Sequence, residues 1–143
     1  MVSKVEPLTF PRQRIKFHLI ARKSGFWEEV KNMATIVKKS LNQPDETQTP
    51  EKLKVEIVTI DGIKIQRITA EPGWQWSKHL KPVVGGESCQ KHHLVYVVSG
   101  KLHAKMDDGK EEEFGPGEVG VVPPGHDGWN GGNEPVVWLE IPH

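Results

Sequence analysis

Eleven of the fourteen glycines in this chain fall after residue 84, and they punctuate short runs in which apolar and polar residues alternate. An alternation of period two sends successive side chains to opposite faces of a strand. Gly, Pro and Asp between such runs supply the turns. Val55 and Ile57 alternate with Glu56, Asp61-Gly62 is a two-residue hairpin turn, and Ile63 and Ile65 resume the pattern. Further runs cover His93 to Ser99, Leu102-Ala104-Met106, Glu113-Phe114, Val119 to Val122 and Val136 to Ile141. Between them stand Gly100, Asp107-Asp108-Gly109 and Gly115-Pro116-Gly117. Short strands at this spacing predict an all-β sandwich or barrel.

A chain of 143 residues has room for one domain and a modest extension, because domains cluster at roughly 100–150 residues. The 19 basic and 19 acidic residues cancel. No global field therefore favours nucleic acid or an anionic membrane, and a small molecule or a protein surface is the expected partner. No run of about 18 apolar residues is present to cross a bilayer, and Met1 to Arg14 lacks the apolar core of a signal peptide. A single cysteine, Cys89, excludes an intrachain disulfide and fits a reducing compartment. The expected location is cytoplasmic.

The first fifty residues read differently. Residues 1 to about 14 form an arm without periodicity, and Ile15, Phe17 and Leu19 suggest a short edge strand. From Ser24 to Leu41 the apolar residues Phe26, Trp27, Val30, Met33, Ala34, Val37 and Leu41 fall on one helical face. Ser24 is placed as an N-cap, with acids early and lysines late as the helix dipole favours. An amphipathic helix is expected there, and Asn42 to Pro50 is expected as a linker. The domain organisation is then an arm, helix and linker over 1–50 and a β-domain over 51–143.

Histidines cluster around the glycine turns. Gly73 stands six residues before His79, His93 seven before Gly100, and Pro123-Pro124-Gly125-His126-Asp127-Gly128-Trp129-Asn130 closes the stretch. Histidines presented by short strands in this way read as one metal site. On a strand only one of His92 and His93 can face inward.

These residues carry a resemblance. Gly73-x5-His79, His93-x6-Gly100, and Gly117 with Pro123, Gly125, His126 and Asn130 resemble the two motifs of the cupin superfamily. The likeness covers roughly residues 54 to 143. It implies a double-stranded β-helix, or jelly-roll barrel, and a homodimer. It further implies a divalent metal (Zn, Fe, Ni or Mn) held by His79, His93 and His126, three ligands that leave a position open for water or substrate. The sequence departs from the motif at four places: the spacer before His93 is longer than usual, His126 follows Gly125 directly with no intervening pair, and two residues differ. Lys81 stands where a second histidine belongs, and His93 stands where a glutamate belongs.

Around this set, Cys89 lies four residues before His93 and is either a thiolate ligand, a redox-sensitive thiol or a small buried hydrophobe. Trp74 and Trp76, alternating on a strand, and Trp129 either wall a substrate pocket or fill the core. Lys81 either turns outward or meets an anionic substrate. Asp127 either orients His126 or closes an Asx turn. Two functions follow. One is a metal-dependent enzyme of dioxygenase or isomerase type acting on a small organic substrate; the other is a non-catalytic cupin that binds a small ligand or responds to metal.

Overall fold

A computed structural model describes residues 35–143. The domain it shows runs from Lys38 to His143. Its elements are β1 (Glu46–Gln48), β2 (Leu53–Ile60), β3 (Ile63–Ala70), the one-turn helices α1 (Trp76–His79) and α2 (Lys81–Val84), β4 (His93–Ser99), β5 (Leu102–Met106), β6 (Glu111–Phe114), β7 (Val119–Val122), β8 (His126–Asn130) and β9 (Val136–Glu140). All strand pairs are antiparallel. They form a six-stranded sheet in the order β1-β2-β3-β9-β4-β7 and a three-stranded sheet in the order β6-β5-β8. The antiparallel, almost wholly β architecture fits the cupin barrel expected from the sequence.

The β2–β3 hairpin forms as its Asp-Gly pair dictates. Asp61 and Gly62 have φ of 50° and 75°, the two positive values that a twist-matched two-residue turn needs. The eight-residue pairing then runs from Ile60↔Ile63 to Leu53↔Ala70. Gly100, between β4 and β5, answers a second requirement. Its φ is +78°, and a Cβ there would lie 2.6 Å from both Pro135 O and Val136 Cα.

Inward residues of both sheets meet in one core that includes Val55, Ile68, Val95, Val97, Leu102 and Trp138. Trp74 and Trp76 complete it, 5% and 7% exposed. Burial of such side chains is worth about 1.5–3 kcal/mol each, so this core is the main source of stability. Arg67 closes the outer side of the hairpin. Its guanidinium donates to Glu56 Oε1 at 3.0 Å, to Asn42 Oδ1 at 3.0 Å and to the Leu41 carbonyl at 3.1 Å.

Several expectations for the first half change. The predicted amphipathic helix falls largely on residues outside the described ones. Where its end is described, from Lys38 to Leu41, the chain is irregular, and the Leu41 carbonyl accepts from Arg67. The stretch expected as a linker contributes β1, paired with β2 from Glu46↔Ile57 to Gln48↔Val55. The strand expected at Trp74 and Trp76 gives way to α1, whose first helical residue is Trp76. His126, directly after Pro123-Pro124-Gly125, is the first residue of β8.

Candidate metal centre

Three side chains from separate parts of the chain converge at one end of the barrel. Cys89 lies in the segment before β4, His93 is the first residue of β4 and His126 the first of β8. An isolated bridge ties the Cys89 backbone to that of His126: Cys89 N donates to His126 O at 2.8 Å, and Gly125 N donates to Cys89 O at 2.7 Å. His93 arrives through its strand, paired opposite Val122 of β7. One ligand atom from each of Cys89, His93 and His126 lies within 4.8 Å of the others. The two imidazoles meet edge to face, ring centroids 5.0 Å apart, and Cys89 Sγ is 3.6 Å from His93 Nε2.

The outer nitrogens are already engaged. His93 Nδ1 is 2.7 Å from Glu140 Oε1, and His126 Nδ1 is 2.6 Å from the Pro123 carbonyl. Both partners only accept, so each Nδ1 carries a proton and donates it. That leaves Nε2 of each ring as the nitrogen free to meet an ion, the arrangement in which an outer hydrogen bond fixes tautomer and orientation. Glu140 is itself held, accepting the Trp138 indole N–H at 2.8 Å through Oε2.

Electrostatics make the thiol reactive. Burial pushes the Cys89 thiol up, but hydrogen bonds with His126 and His93 outweigh it and bring the pKa down to about 6. Burial pushes His93 down, but its hydrogen bonds with Cys89 and Glu140 prevail and raise it to about 9. Around pH 7 the metal-free site therefore holds a thiolate beside an imidazolium. A soft sulfur with two imidazole nitrogens suits Zn²⁺, Fe²⁺ or Ni²⁺ and disfavours Mn²⁺, which prefers oxygen donors. The residues present fit a divalent cation.

The cluster opens on a cavity of about 700 Å³, within the range of small-molecule pockets. Trp74, Trp76, Trp138, Ile68 and Leu102 are among its walls. Among the described residues, one buried side-chain polar atom lacks a partner, Trp74 Nε1.

The remaining predicted site residues stand elsewhere. His79 ends α1 and turns back on its own helix, with Nδ1 3.1 Å from Gln75 N and 3.2 Å from Gln75 O. It does not join Cys89, His93 and His126; the motif spacing assumed a strand where one turn of helix forms. Lys81 is part-exposed on α2, 3.8 Å from the Glu87 carboxylate. Trp129 stacks on His103 with centroids 4.4 Å apart, on the opposite face of β8 from His126. Asp127 does not orient His126. It accepts from Gln75 Nε2 at 2.7 Å, Ser77 N at 3.0 Å and Ser77 Oγ at 2.8 Å, pinning the start of α1 to β8. Glu140 is the site residue that sequence reasoning missed; its inward place on β9, at a distance of 47 residues from His93, is visible only through sheet register.

The family model described as "Cupin domain" matches residues 84–142. Among solved structures, the polyketide cyclase RemF from Streptomyces resistomycificus is 17% identical over 75% of this chain and 78% of its own, with a TM-score of 0.55. A sugar phosphate isomerase from a cupin superfamily, from Silicibacter pomeroyi, is 18% identical over 73% of this chain and 74% of its own, with a TM-score of 0.53. At these identities both likenesses concern the fold alone. The formate complex of Lactobacillus farciminis oxalate decarboxylase aligns at 23% identity over 67% of this chain with a TM-score of 0.49, and the chain spans 30% of that protein's length. No curated protein matches the sequence. No helix among the described residues is long and apolar enough to cross a membrane.

Proposed function

This chain belongs to the cupin domain proteins, a fold that hosts many chemistries, and from that premise we propose that it is a metal-binding cupin acting as a metal-dependent enzyme on a small organic substrate. Cys89, His93 and His126 would hold the ion. One observation carries the reading: two imidazoles whose Nδ1 atoms are bonded outward to Glu140 and Pro123 stand with a thiol in a group spanning 4.8 Å.

A divalent ion bound there would polarise a substrate oxygen, the chemistry that an isomerase-type reaction requires, whereas a dioxygenase-type reaction would need a redox-active ion such as Fe²⁺ in the same site. The chain's own residues supply the rest. Glu140 holds the His93 ring in place, and the apolar walls of the cavity keep water from the bound substrate. The Cys89 thiolate donates negative charge to the site, so the ion would be less electrophilic than on three neutral imidazoles.

A second reading is supported by Glu140 itself. Both of its oxygens are engaged, by His93 and Trp138, which leaves it unready to serve as a general base. A non-catalytic cupin that binds a small ligand through its metal fits that constraint. A homodimer belongs to either reading, because the edge strand β7 exposes Val119 and Val121 at 62% and 57% and an uncovered edge is a template for pairing. Light scattering checks it.

Metal analysis by mass spectrometry tests the proposal. Purified protein reconstituted with Zn²⁺, Fe²⁺ or Ni²⁺ should retain about one ion per chain. Folded His93→Ala and His126→Ala variants should lose it, and His79→Ala should keep it. Failure of the wild type to retain any of these ions contradicts the metal site. Oxygen uptake or substrate turnover by the loaded protein then separates enzyme from binder.

A further inference from the structure

The cavity is graded along its length. On the six-stranded sheet, Val55, Ile68, Trp138 and Val97 pair across β2, β3, β9 and β4 to make one apolar layer, with Gln48 of β1 at its exposed edge opposite Val55. The next layer carries Ile57, Gln66, Glu140 and Val95, and His93 stands beyond it on the same face of β4. On the facing sheet the polar side chain at the far end, Asn130, is taken up by the Ala70 and Glu134 carbonyls. His126 lies opposite Met106, Gly128 opposite Ala104, and Asn130 opposite Leu102. The ligating end is thus polar and the far end apolar.

Two small residues account for the space. Ala104 and Gly128 are directly paired on β5 and β8 and both line the cavity. At that level the wall carries only a methyl group and a hydrogen, facing the layer of Trp138, Ile68 and Val55. Large side chains at these two positions would fill the volume of about 700 Å³ between the sheets.

Charge is scarce along the apolar part. Glu140 is committed to His93 and Trp138, Lys91 is exposed, His103 is engaged by Glu111 at 3.1 Å, and Gln48, Gln66, Ser88 and Gln90 on the wall are neutral. Arg67, the only arginine among the described residues, is bound to Glu56, Asn42 and Leu41. A phosphate or second carboxylate pushed into this half would lose its hydration without gaining a cation, which is strongly unfavourable.

We propose that the ligand of this cavity has an apolar, ring-sized body, an aromatic or branched hydrocarbon frame, seated between Trp138 and the Ala104–Gly128 pair, with a single oxygen-bearing head at the Cys89–His93–His126 end. Phosphorylated sugars, and dicarboxylates long enough to carry a second carboxylate into the apolar half, are excluded by the same walls. The position of the head rests on the metal-site reading above; the apolar body rests on the cavity alone.

Two binding arms separate these parts. In the first, metal-free protein is titrated with 2-naphthol and followed by tryptophan fluorescence. Saturable binding is expected, with no competition from glucose 6-phosphate or oxalate, and Ala104→Phe should weaken it at least about tenfold by filling the seat. In the second, Zn²⁺-loaded protein is titrated with acetohydroxamate and benzohydroxamate, which share a metal-binding head and differ only in the body. Benzohydroxamate should bind at least about tenfold more tightly, from the apolar area it buries, and Ala104→Phe should erase that preference while sparing acetohydroxamate. If the variant does not fold, the wild-type results decide. No binding of 2-naphthol, equal affinity for the two hydroxamates, or tighter binding of oxalate or glucose 6-phosphate by the metal-free protein overturns the proposal. Binding of 2-naphthol by a protein that retains no Zn²⁺ and binds neither hydroxamate supports the apolar seat and removes the metal reading.

Discussion

Glu140 Oε1 lies 2.7 Å from His93 Nδ1, and the other oxygen of the same carboxylate takes the Trp138 indole N–H at 2.8 Å. The register Val95↔Glu140 between β4 and β9 sets this contact, because residues two apart on β4 share a face and place His93 beside the carboxylate. The imidazole is thereby held with Nε2 turned toward Cys89.

Replacing that carboxylate by an amide should loosen the ion without unfolding the barrel. Glu140→Gln keeps the size and an acceptor oxygen but removes the charge behind His93. Changes of this kind cost about 10–100-fold in metal affinity. Competition against a chromophoric chelator reads the loss, and an unchanged affinity would show that Glu140 does not position the ligand.

The thiolate–imidazolium pair predicts a pH window for the metal-free protein. Cys89 is lowered to about 6, so the stability it contributes is present at high pH and is lost as pH falls through about 6. His93 is raised to about 9, so its contribution is complete below its ordinary value and is lost as pH rises through about 9. Thermal melts should therefore be highest between these limits. Alkylation of Cys89 by iodoacetamide should follow a midpoint near 6 and move upward in His93→Ala. A midpoint near that of a free thiol in the wild type would refute the pairing.

Asp127 should behave as an anchor. Besides its three bonds to Gln75 and Ser77 it accepts from Gly128 N at 2.9 Å. Asp127→Ala strips a part-buried set of donors, at a cost of about 2 kcal/mol in denaturant unfolding. The retained metal should stay at its wild-type ratio, whereas a direct role beside His126 would lower both.

Gly100 should tolerate no side chain. With φ at +78° and a Cβ position 2.6 Å from Pro135 O and Val136 Cα, Gly100→Ala combines backbone strain with a backbone clash. The expected loss is at least about 2 kcal/mol, measured by chemical denaturation. A loss below the usual scatter of surface substitutions would mean that the β4–β5 turn can shift.

The strands that were legible in the sequence are those whose register is written locally. Alternation with an Asp-Gly turn specifies β2 and β3, and glycine-bounded alternation specifies β4, β5 and β7. β8 was not legible, because Pro123-Pro124-Gly125 followed by His126-Asp127-Gly128 carries the chemistry of a turn, and its strand character comes from pairing with β5. The same distinction governs the site. His93 and His126 follow from their spacing to Gly100 and Asn130, and Cys89 was visible as a neighbour of His93. His79 was misplaced because counting residues from Gly73 assumes an extended chain, whereas Asp127 holds Ser77 in a helical turn. Glu140 depends on a pairing between β4 and β9, for which local sequence carries no signal.

The central claim is that Cys89 and the two histidines share one ion, and the absorption spectrum of the Co²⁺-substituted protein tests it most directly. One Co²⁺ per chain with a thiolate-to-cobalt charge-transfer band in the near ultraviolet, absent from a folded Cys89→Ser variant, is the predicted result. A Co²⁺-saturated wild type without that band, or a band that survives in Cys89→Ser, would contradict it.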